Sequence, residues 1–257
     1  MIAEELPDGR RHVQFGHAFD SYPNPIRHIE TAPLFVSFSN QGFNGLSVNF
    51  QRHLRDNIIV WTQDSLPRPV HYNCWEAIYF EHEPNTLSEI IELAADIGAE
   101  RFVLDDGWFG TRDDDTQSLG DWEIDNRKYP EGLGPLIAKV NQFGMSFGIW
   151  FEPEMVNLNS KLYVKHPSWA LGPIDQVLGR NQLVLDMANP DVQEYLFEKI
   201  SAILSDHIVT YIKWDHNRVL PHVDAAQTYG TYKLMSRLRD KFPNVEIESC
   251  ASGGGRI

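Results

Sequence analysis

Cysteine is scarce: Cys74 and Cys250 are the only two in 257 residues. Neither lies in a CxxC pair, so no disulfide framework can be built from them, and a reducing, cytoplasmic compartment is the expectation. No apolar run approaches the roughly 20 residues needed to span a bilayer, which excludes an integral membrane protein. The opening MIAEELPDGRRH lacks the apolar core of a secretory signal, although in a piece of a longer chain that would say nothing about export. Positive charge is also short. With 22 Lys+Arg against 36 Asp+Glu the net charge is −14, and no basic stripe offsets it, so nucleic acid is a poor partner. Several cofactor signatures are missing too. No GxGxxG follows the first strand signal, no HExxH occurs among the ten His, and neither GxSxG nor a phosphate loop ending in GK[ST] is present. Dinucleotide, zinc, serine-nucleophile and phosphate-loop chemistry are therefore not expected, and neither a metal nor an organic cofactor is assigned.

What is present is ordinary globular material, 42% hydrophobic, with seven Trp. Residues 1–70 read as β-rich and irregular: Leu34 to Ser39 as a strand, Asn40 to Gly45 as a turn, Asn57 to Trp61 as an apolar run, and Pro67 and Pro69 as a boundary. From His71 the pattern becomes strand, helix, strand, helix. Strand signals fall at 71–80, 101–105, 146–151, 211–215 and 245–248. Helices are predicted after a capping box at Thr86–Glu89, around Leu133–Val140, from an Asn189 cap with Pro190 at its first position, and from about Ala226 to Lys241.

Alternation of this kind implies an α/β fold with a parallel sheet. Two architectures compete, a doubly wound open sheet and a barrel. The strand ends carry Trp75-Glu76, Asp105-Asp106, Trp150 with Glu152 and Glu154, Asp215, and Ser249-Cys250. Functional side chains collected at the C-terminal ends of several strands favour the barrel. Five strands are visible where a barrel needs eight. The expectation is an incomplete (β/α)8 TIM barrel over 67–257, its first five βα units, preceded by the tail of a β-sandwich domain over 1–66.

Several of these residues could do chemistry. Lys213 and Asp215 share a strand face, with Trp214 on the other. An ammonium beside a carboxylate favours the ionised acid that a nucleophile requires; a structural ion pair fits the same spacing. Asp105 and Asp106 suit hydrogen bonds to neighbouring sugar hydroxyls, with Gly107 turning the backbone; a helix cap with a solvated acid, or a metal site, are the alternatives. Asp113 to Asp115 read as a solvated acidic loop. Glu152 and Glu154 could be an acid/base pair, but anchoring of loops is favoured. Trp75 and Trp150 could be sugar platforms or core. Cys250, in a glycine-rich stretch, reads as an inert buried thiol, and Arg218 as a surface or supporting residue.

LDDGWFGTRDDDTQSLGDW (104–122), FGIWFEPEMVN (147–157), GRNQLVLD (179–186), KWDHNR (213–218) and ESCASGGGR (248–256) together resemble the retaining α-galactosidases of glycoside hydrolase family 36, in that family's order. HYNCWEAIYF (71–80) is similar to the family's first barrel strand. The resemblance implies a hydrolase releasing terminal α-linked galactose from melibiose- and raffinose-type oligosaccharides. It implies Asp215 as the nucleophile that forms a covalent galactosyl-enzyme, with Lys213 and Asn217 as its neighbours. Asp105 and Asp106 would hold galactose through O4 and O6, Trp75 and Trp150 would wall the pocket, Arg180 would contact the sugar, and Cys250 and Gly253 would line it. It implies no cofactor, and a homo-oligomeric parent protein. The family's acid/base aspartate lies on the strand after the glycine-rich segment, beyond Ile257, so the chain alone is expected to be poorly active or inactive. A carbohydrate-binding or regulatory remnant without turnover, and an α-N-acetylgalactosaminidase or galactosyltransferase on the same barrel, are the alternative readings.

Overall fold

The computed structural model describes residues 2–14, 35–59, 67–221 and 225–251. The chain divides into two compact units, Met1–Asp64 and Ser65–Ile257.

In the first unit, β1 (Ile2–Glu5) and β2 (Arg11–Gln14) form an antiparallel hairpin. Residues 35–39 are in no strand. Their polar groups turn to a helix instead: Asn49 Nδ2 donates to Ser37 Oγ and to the Phe38 carbonyl. That helix, α1 (Gly42–His53), begins inside the segment expected to be a turn and runs on into a π-helical turn at Leu54–Ile58. Asn and Gly favour turns by local propensity, yet α1 forms over them without burying a residue. Leu34, Val60 and Trp61, at the ends of the two expected apolar segments, lie outside the described residues.

The second unit is built on a five-stranded sheet. Its strands are β3 (His71–Asn73), β4 (Arg101–Leu104), β5 (Ser146–Phe151), β8 (Tyr211–Trp214) and β9 (Glu246–Ser249), in the order β3-β4-β5-β8-β9. Every pairing in it is parallel. The strands join in chain order with no reversal. Between β5 and β8 a separate antiparallel pair intervenes, β6 (Met155–Asn157) with β7 (Gln182–Val184). Its strands are too short to show an alternating pattern, and the sequence reading missed both.

The helices are α2 (Trp75–Ile78), α3 (Pro84–Asp96), α4 (Gly134–Gln142), α5 (Lys161–Lys165), α6 (Pro190–Asp206) and α7 (Ala225–Lys241). Residues 71–80 are not one strand. Asn73 Oδ1 accepts the Trp75 N–H, an Asx turn that ends β3 after three residues and starts α2. Nor is α3 capped by Thr86. Glu83 caps it, accepting the N–H groups of Asn85 and Thr86. Asn189 caps α6 as expected, accepting from Asp191 N with Pro190 following.

The core lies between sheet and helices. All four residues of β4 are buried, as are five of the six in β5, the near-continuous burial of a parallel sheet covered on both faces. Leu87, Ile91 and Ala94 of α3, Ile137 and Val140 of α4, and Leu196 and Ile200 of α6 pack there. Beyond the strand ends, Trp108, Phe109, Trp122, Trp150 and Phe151 form an aromatic cluster, with Phe109 stacked over Trp150 at 9° and 6.1 Å. Lys128 pins the neighbouring loops: its Nζ donates to the carbonyls of Phe80, Gly107 and Arg112 at 2.9, 3.0 and 2.7 Å.

Gly230 marks where α7 closes on the preceding loop. A Cβ there would lie 1.9 Å from the Met187 carbonyl oxygen. Gly→Ala inside a helix ordinarily stabilises by about 1 kcal/mol. Gly230→Ala is expected to destabilise by about 1–3 kcal/mol, because the backbone itself must move. Denaturant titration of the polypeptide as the cell makes it, with and without the substitution, gives the sign.

Candidate active site

Parallel strands deliver their C-terminal ends to one edge of the sheet. Phe151 pairs with Trp214 in the β5–β8 register, and Asp215 N donates to the Phe151 carbonyl at 2.7 Å. This places Asp215 one step past its strand, beside Trp150. Cys250 arrives from β9 by the same means, its N–H on the Trp214 carbonyl at 2.8 Å.

Asp215 is 7% exposed and is surrounded by neutral donors. Asn217 Nδ2 lies 2.6 Å and Trp150 Nε1 3.1 Å from Oδ2, and His216 N lies 3.0 Å from Oδ1. The Cys250 thiol also donates to it. Burial pushes the carboxyl up, and these bonds outweigh it, leaving Asp215 below the usual carboxylate range. The result is a buried but ionised carboxylate. Burial and the bond to Asp215 hold Cys250 up at about 11, so its thiol is a donor at neutral pH and not a nucleophile.

The ammonium expected beside Asp215 belongs to another acid. Lys213 Nζ is 3.0 Å from Asp105 Oδ2. Asn73 Nδ2 donates to the same oxygen, and Asp106 N to Oδ1 at 2.9 Å. The Asp105 N–H is received by the thiol sulfur of buried Cys74 at 3.4 Å. Lys213 and Asp215 are two residues apart, but β4, two strands away in the sheet, supplies the nearer partner.

Asp106 is not a solvated acid either. Arg112, 1% exposed, holds it through two bonds, Nε to Oδ1 at 2.9 Å and Nη2 to Oδ2 at 2.8 Å. Burial pushes Asp106 up and the guanidinium pulls it back. Nη1 of Arg112 reaches the Gln117 carbonyl and Asn157 Oδ1. Asn157 in turn donates to the carbonyls of Asp115 and Asn181. Gly107 turns the chain here at φ +116, and a Cβ would lie 2.9 Å from His82 Nε2 and 3.2 Å from Phe80 Cα. His82 is buried against the Tyr129 hydroxyl at 2.7 Å and pushed down to about 4 by that burial.

The Asn157 network ends beside Arg180. Arg180 and Asn181 both take positive φ, 50° and 59°, in a tight turn closed by Gln182 N on the Gly179 carbonyl at 3.0 Å. Non-glycine residues in this region cost of order 1 kcal/mol each. Arg180 is exposed on the turn, and its charge acts on Asp106.

Glu152 and Glu154 follow β5 and are both buried. Glu152 accepts Asn217 N at 2.6 Å and Gln182 Nε2 at 2.9 Å. Burial first, and then the charge of Asp215, push it up to about 8. Glu154 accepts Trp214 Nε1 and Thr231 Oγ1, both at 2.9 Å, and His216 Nδ1 lies 3.6 Å away. Glu154 thus anchors the strand end to α7, as favoured.

The structure brings together Asp215, Lys213, Asn217, Asp105, Asp106, Trp150 and Cys250. Trp150 is core as well as site: it is 2% exposed and meets Asp215 through its indole N–H. Trp75 stands on α2 and not at a strand end, half-buried against Tyr79 and Phe80. It joins the site through Asn73, which receives the Trp75 N–H and donates to Asp105. Gly253 lies outside the described residues. Arg218 is buried, donating to Gln176 Oε1 and the Val177 carbonyl. The acidic loop is tied as well as wet: Asp113 pairs with Arg127, Asp114 accepts from Thr116, and Asp115 Oδ1 accepts from Asn181. Sequence reasoning missed Asn73, Arg112, Asn157 and Gln182. All four lie in motifs already named, but the bonds that tie them into the site, Asn73 to Asp105, Arg112 to Asp106 and Asn157, and Gln182 to Glu152, span 6 to 45 residues, and no local pattern shows such pairings.

Removing Arg112 leaves Asp106 buried without its cation. Arg112→Met is expected to cost about 3–5 kcal/mol, and the double variant with Asp106→Asn to recover part of that. Chemical denaturation of the single and double variants measures both.

Comparison with known proteins identifies the family. The sequence profile of the Melibiase family matches residues 28–257. The α-galactosidase of Escherichia coli is 45% identical over 100% of this chain, which covers 38% of that protein. Among solved structures, the GH36 α-galactosidase AgaB of Geobacillus stearothermophilus superposes with a TM-score of 0.75 at 42% identity, over 85% of this chain and 32% of its own. An AgaA variant from the same organism, solved in complex with raffinose, gives 0.74 at 40% identity, over 83% and 32%. The chain therefore spans about a third of the length of such relatives. A profile match over most of the sequence, and a sheet edge that gathers the motif carboxylates, give one result: this chain belongs to the Melibiase family.

Proposed function

We propose that the chain carries the nucleophile side of a retaining glycosidase site that releases terminal α-linked galactose through a covalent galactosyl-enzyme. The observation that carries this reading is Asp215: a buried carboxylate at the strand ends, kept ionised by hydrogen bonds from Asn217, Trp150, His216 and Cys250. Its oxygen would attack C1 of the sugar while the glycosidic oxygen departs, and water would later release the galactose. The raffinose bound in the AgaA relative supports oligosaccharides of that type as substrates.

The neighbouring groups fit a galactose ring. Each oxygen of Asp106 accepts one bond from Arg112 and keeps a second lone pair for a sugar hydroxyl. Asp106 and Asp105 would take O4 and O6, Lys213 and Arg180 would donate to other hydroxyls, and Trp75, Trp150, Cys250 and Gly253 would line the ring. The leaving oxygen needs a proton from a second carboxyl. Glu152 holds one at neutral pH, but it is buried with both oxygens engaged. We therefore place the acid/base on the strand that follows β9 in the family, outside this sequence. Strands added in chain order without reversal lack the switch point of a doubly wound sheet. That supports residues 67–257 as the first five units of a (β/α)8 barrel, with 1–66 as the end of a preceding β-domain, for which the β1–β2 hairpin speaks. The two free thiols support a cytoplasmic setting.

An aryl α-galactoside whose phenol leaves without protonation isolates the first chemical step. Intact mass spectrometry is expected to show one galactosyl adduct on the wild type and none on Asp215→Ala; an adduct on both would sink the assignment. Trp150→Phe removes one donor from the ionised form, so Asp215 should titrate higher. The acid limb of kcat/KM is expected to move up by about half to one pH unit, and a limb that stays put or moves down contradicts the role given to the indole.

A further inference from the structure

Glu152 is the one buried carboxyl at this sheet edge that receives only amide donors. Asn217 N reaches Oε1 at 2.6 Å and Gln182 Nε2 reaches Oε2 at 2.9 Å. The cations around it are committed elsewhere: Lys213 to Asp105, Arg112 to Asp106, and Arg218 to Gln176 and the Val177 carbonyl. The charges that act on it most strongly are Asp215, at the end of β8, and Asp106, at the end of β4. Both are negative and both oppose its ionisation. Two carboxyls in one buried site do not both ionise cheaply, and the proton stays on the one with fewer donors.

Gln182 belongs to the same contact: its Nε2 donates to Glu152 Oε2, and its own Oε1 is buried with no hydrogen-bond partner.

We propose that Glu152 is a positioning residue acting as the neutral member of a carboxyl pair: it keeps the proton so that Asp215 stays ionised, and its hold on the Asn217 N–H sets the turn from which Asn217 Nδ2 reaches Asp215. This rests on Asp215 being the nucleophile, as proposed above. Two linked bonds carry it: Glu152 Oε1 to Asn217 N, and Asn217 Nδ2 to Asp215 Oδ2. Glu152 touches neither sugar nor reacting atom. It acts through Asn217 and through the charge it does not carry.

The test compares wild type, Glu152→Ala, Glu152→Gln and Asp215→Ala in the polypeptide as the cell makes it, with an aryl α-galactoside that needs no leaving-group proton. Glu152→Ala frees the turn and is expected to lower kcat by about 10- to 100-fold, with a smaller change in KM. Glu152→Gln keeps the acceptor and the neutrality and is expected to restore most of that loss. The acid limb of kcat/KM, which reports Asp215 in the free enzyme, should superimpose for wild type and Glu152→Gln. If Glu152 were charged, removing the charge would lower the pKa of Asp215, and the limb would move down by about one pH unit. Such a shift, or a Gln variant as impaired as the Ala variant, overturns the proposal. Should Glu152→Ala fail to fold, the Gln profile decides alone. An inactive wild type, or an Asp215→Ala variant as active as wild type, overturns the nucleophile reading and this one with it. An active wild type with a dead Asp215→Ala confines any failure to Glu152.

Discussion

Asp105, Asp106, Glu152, Glu154 and Asp215 are all buried at one edge of one sheet, and the surrounding structure is arranged around that concentration of acid. Removing an ion from water costs several kcal/mol even after relaxation, so each carboxyl needs its own answer. Asp105 has an ammonium, Lys213. Asp106 has a guanidinium, Arg112. Glu154 has an indole N–H and a hydroxyl. Asp215 has hydrogen bonds from Asn217, Trp150, His216 and Cys250, and Glu152 keeps its proton. The differences matter chemically. A carboxylate clamped by a guanidinium is a poor nucleophile and a good fixed acceptor. One surrounded by N–H and S–H dipoles keeps its charge and an oxygen able to react.

Holding these groups in register takes more than the sheet. The loop after β4 leaves its strand through Gly107 and is tied back at three carbonyls by Lys128. From Asp106 a chain of bonds runs through Arg112 and Asn157 to the carbonyl of Asn181, on the strained turn that carries Arg180. Glu154 binds the end of β8 to α7 through Trp214 and Thr231. The site is thus fixed from three directions by buried polar networks, which are tolerable only because nearly every member is satisfied. Its rigidity belongs to the packing, and the strands supply only the direction.

Much of this was legible in the residues. The helix starting at Asn189-Pro190 and the strand at 146–151 follow from capping chemistry and apolar runs, and the structure agrees residue for residue. The alternation from His71 onward implied a parallel sheet, and parallel strands must send 105, 150, 215 and 250 to the same edge. Where local signals misled, another partner had intervened, near or far along the chain. Thr86 looked like a cap, but Glu83 lies one turn earlier and reaches two N–H groups. The segment 35–39 had strand propensity, but its carbonyl met Asn49 on α1 and no neighbouring strand. The turn at 40–45 was a fair reading of Asn and Gly, and the helix that stands there buries no residue.

The sequence by itself determined which residue types stand at which strand ends, because periodicity and strand polarity are properties of the chain. It also carried the family, through motifs in a fixed order. Only the tertiary structure decided how charge and protons are shared among those ends. Lys213 and Asp215 are two residues apart on one face, yet the ammonium went to Asp105, 108 residues away, because β4, two strands over in the sheet, brings that carboxylate to 3.0 Å. Glu152 and Asp215 are alike as letters. Their different protonation is set by burial, by the count of donors each receives, and by each other's charge, and these are properties of the assembled sheet edge.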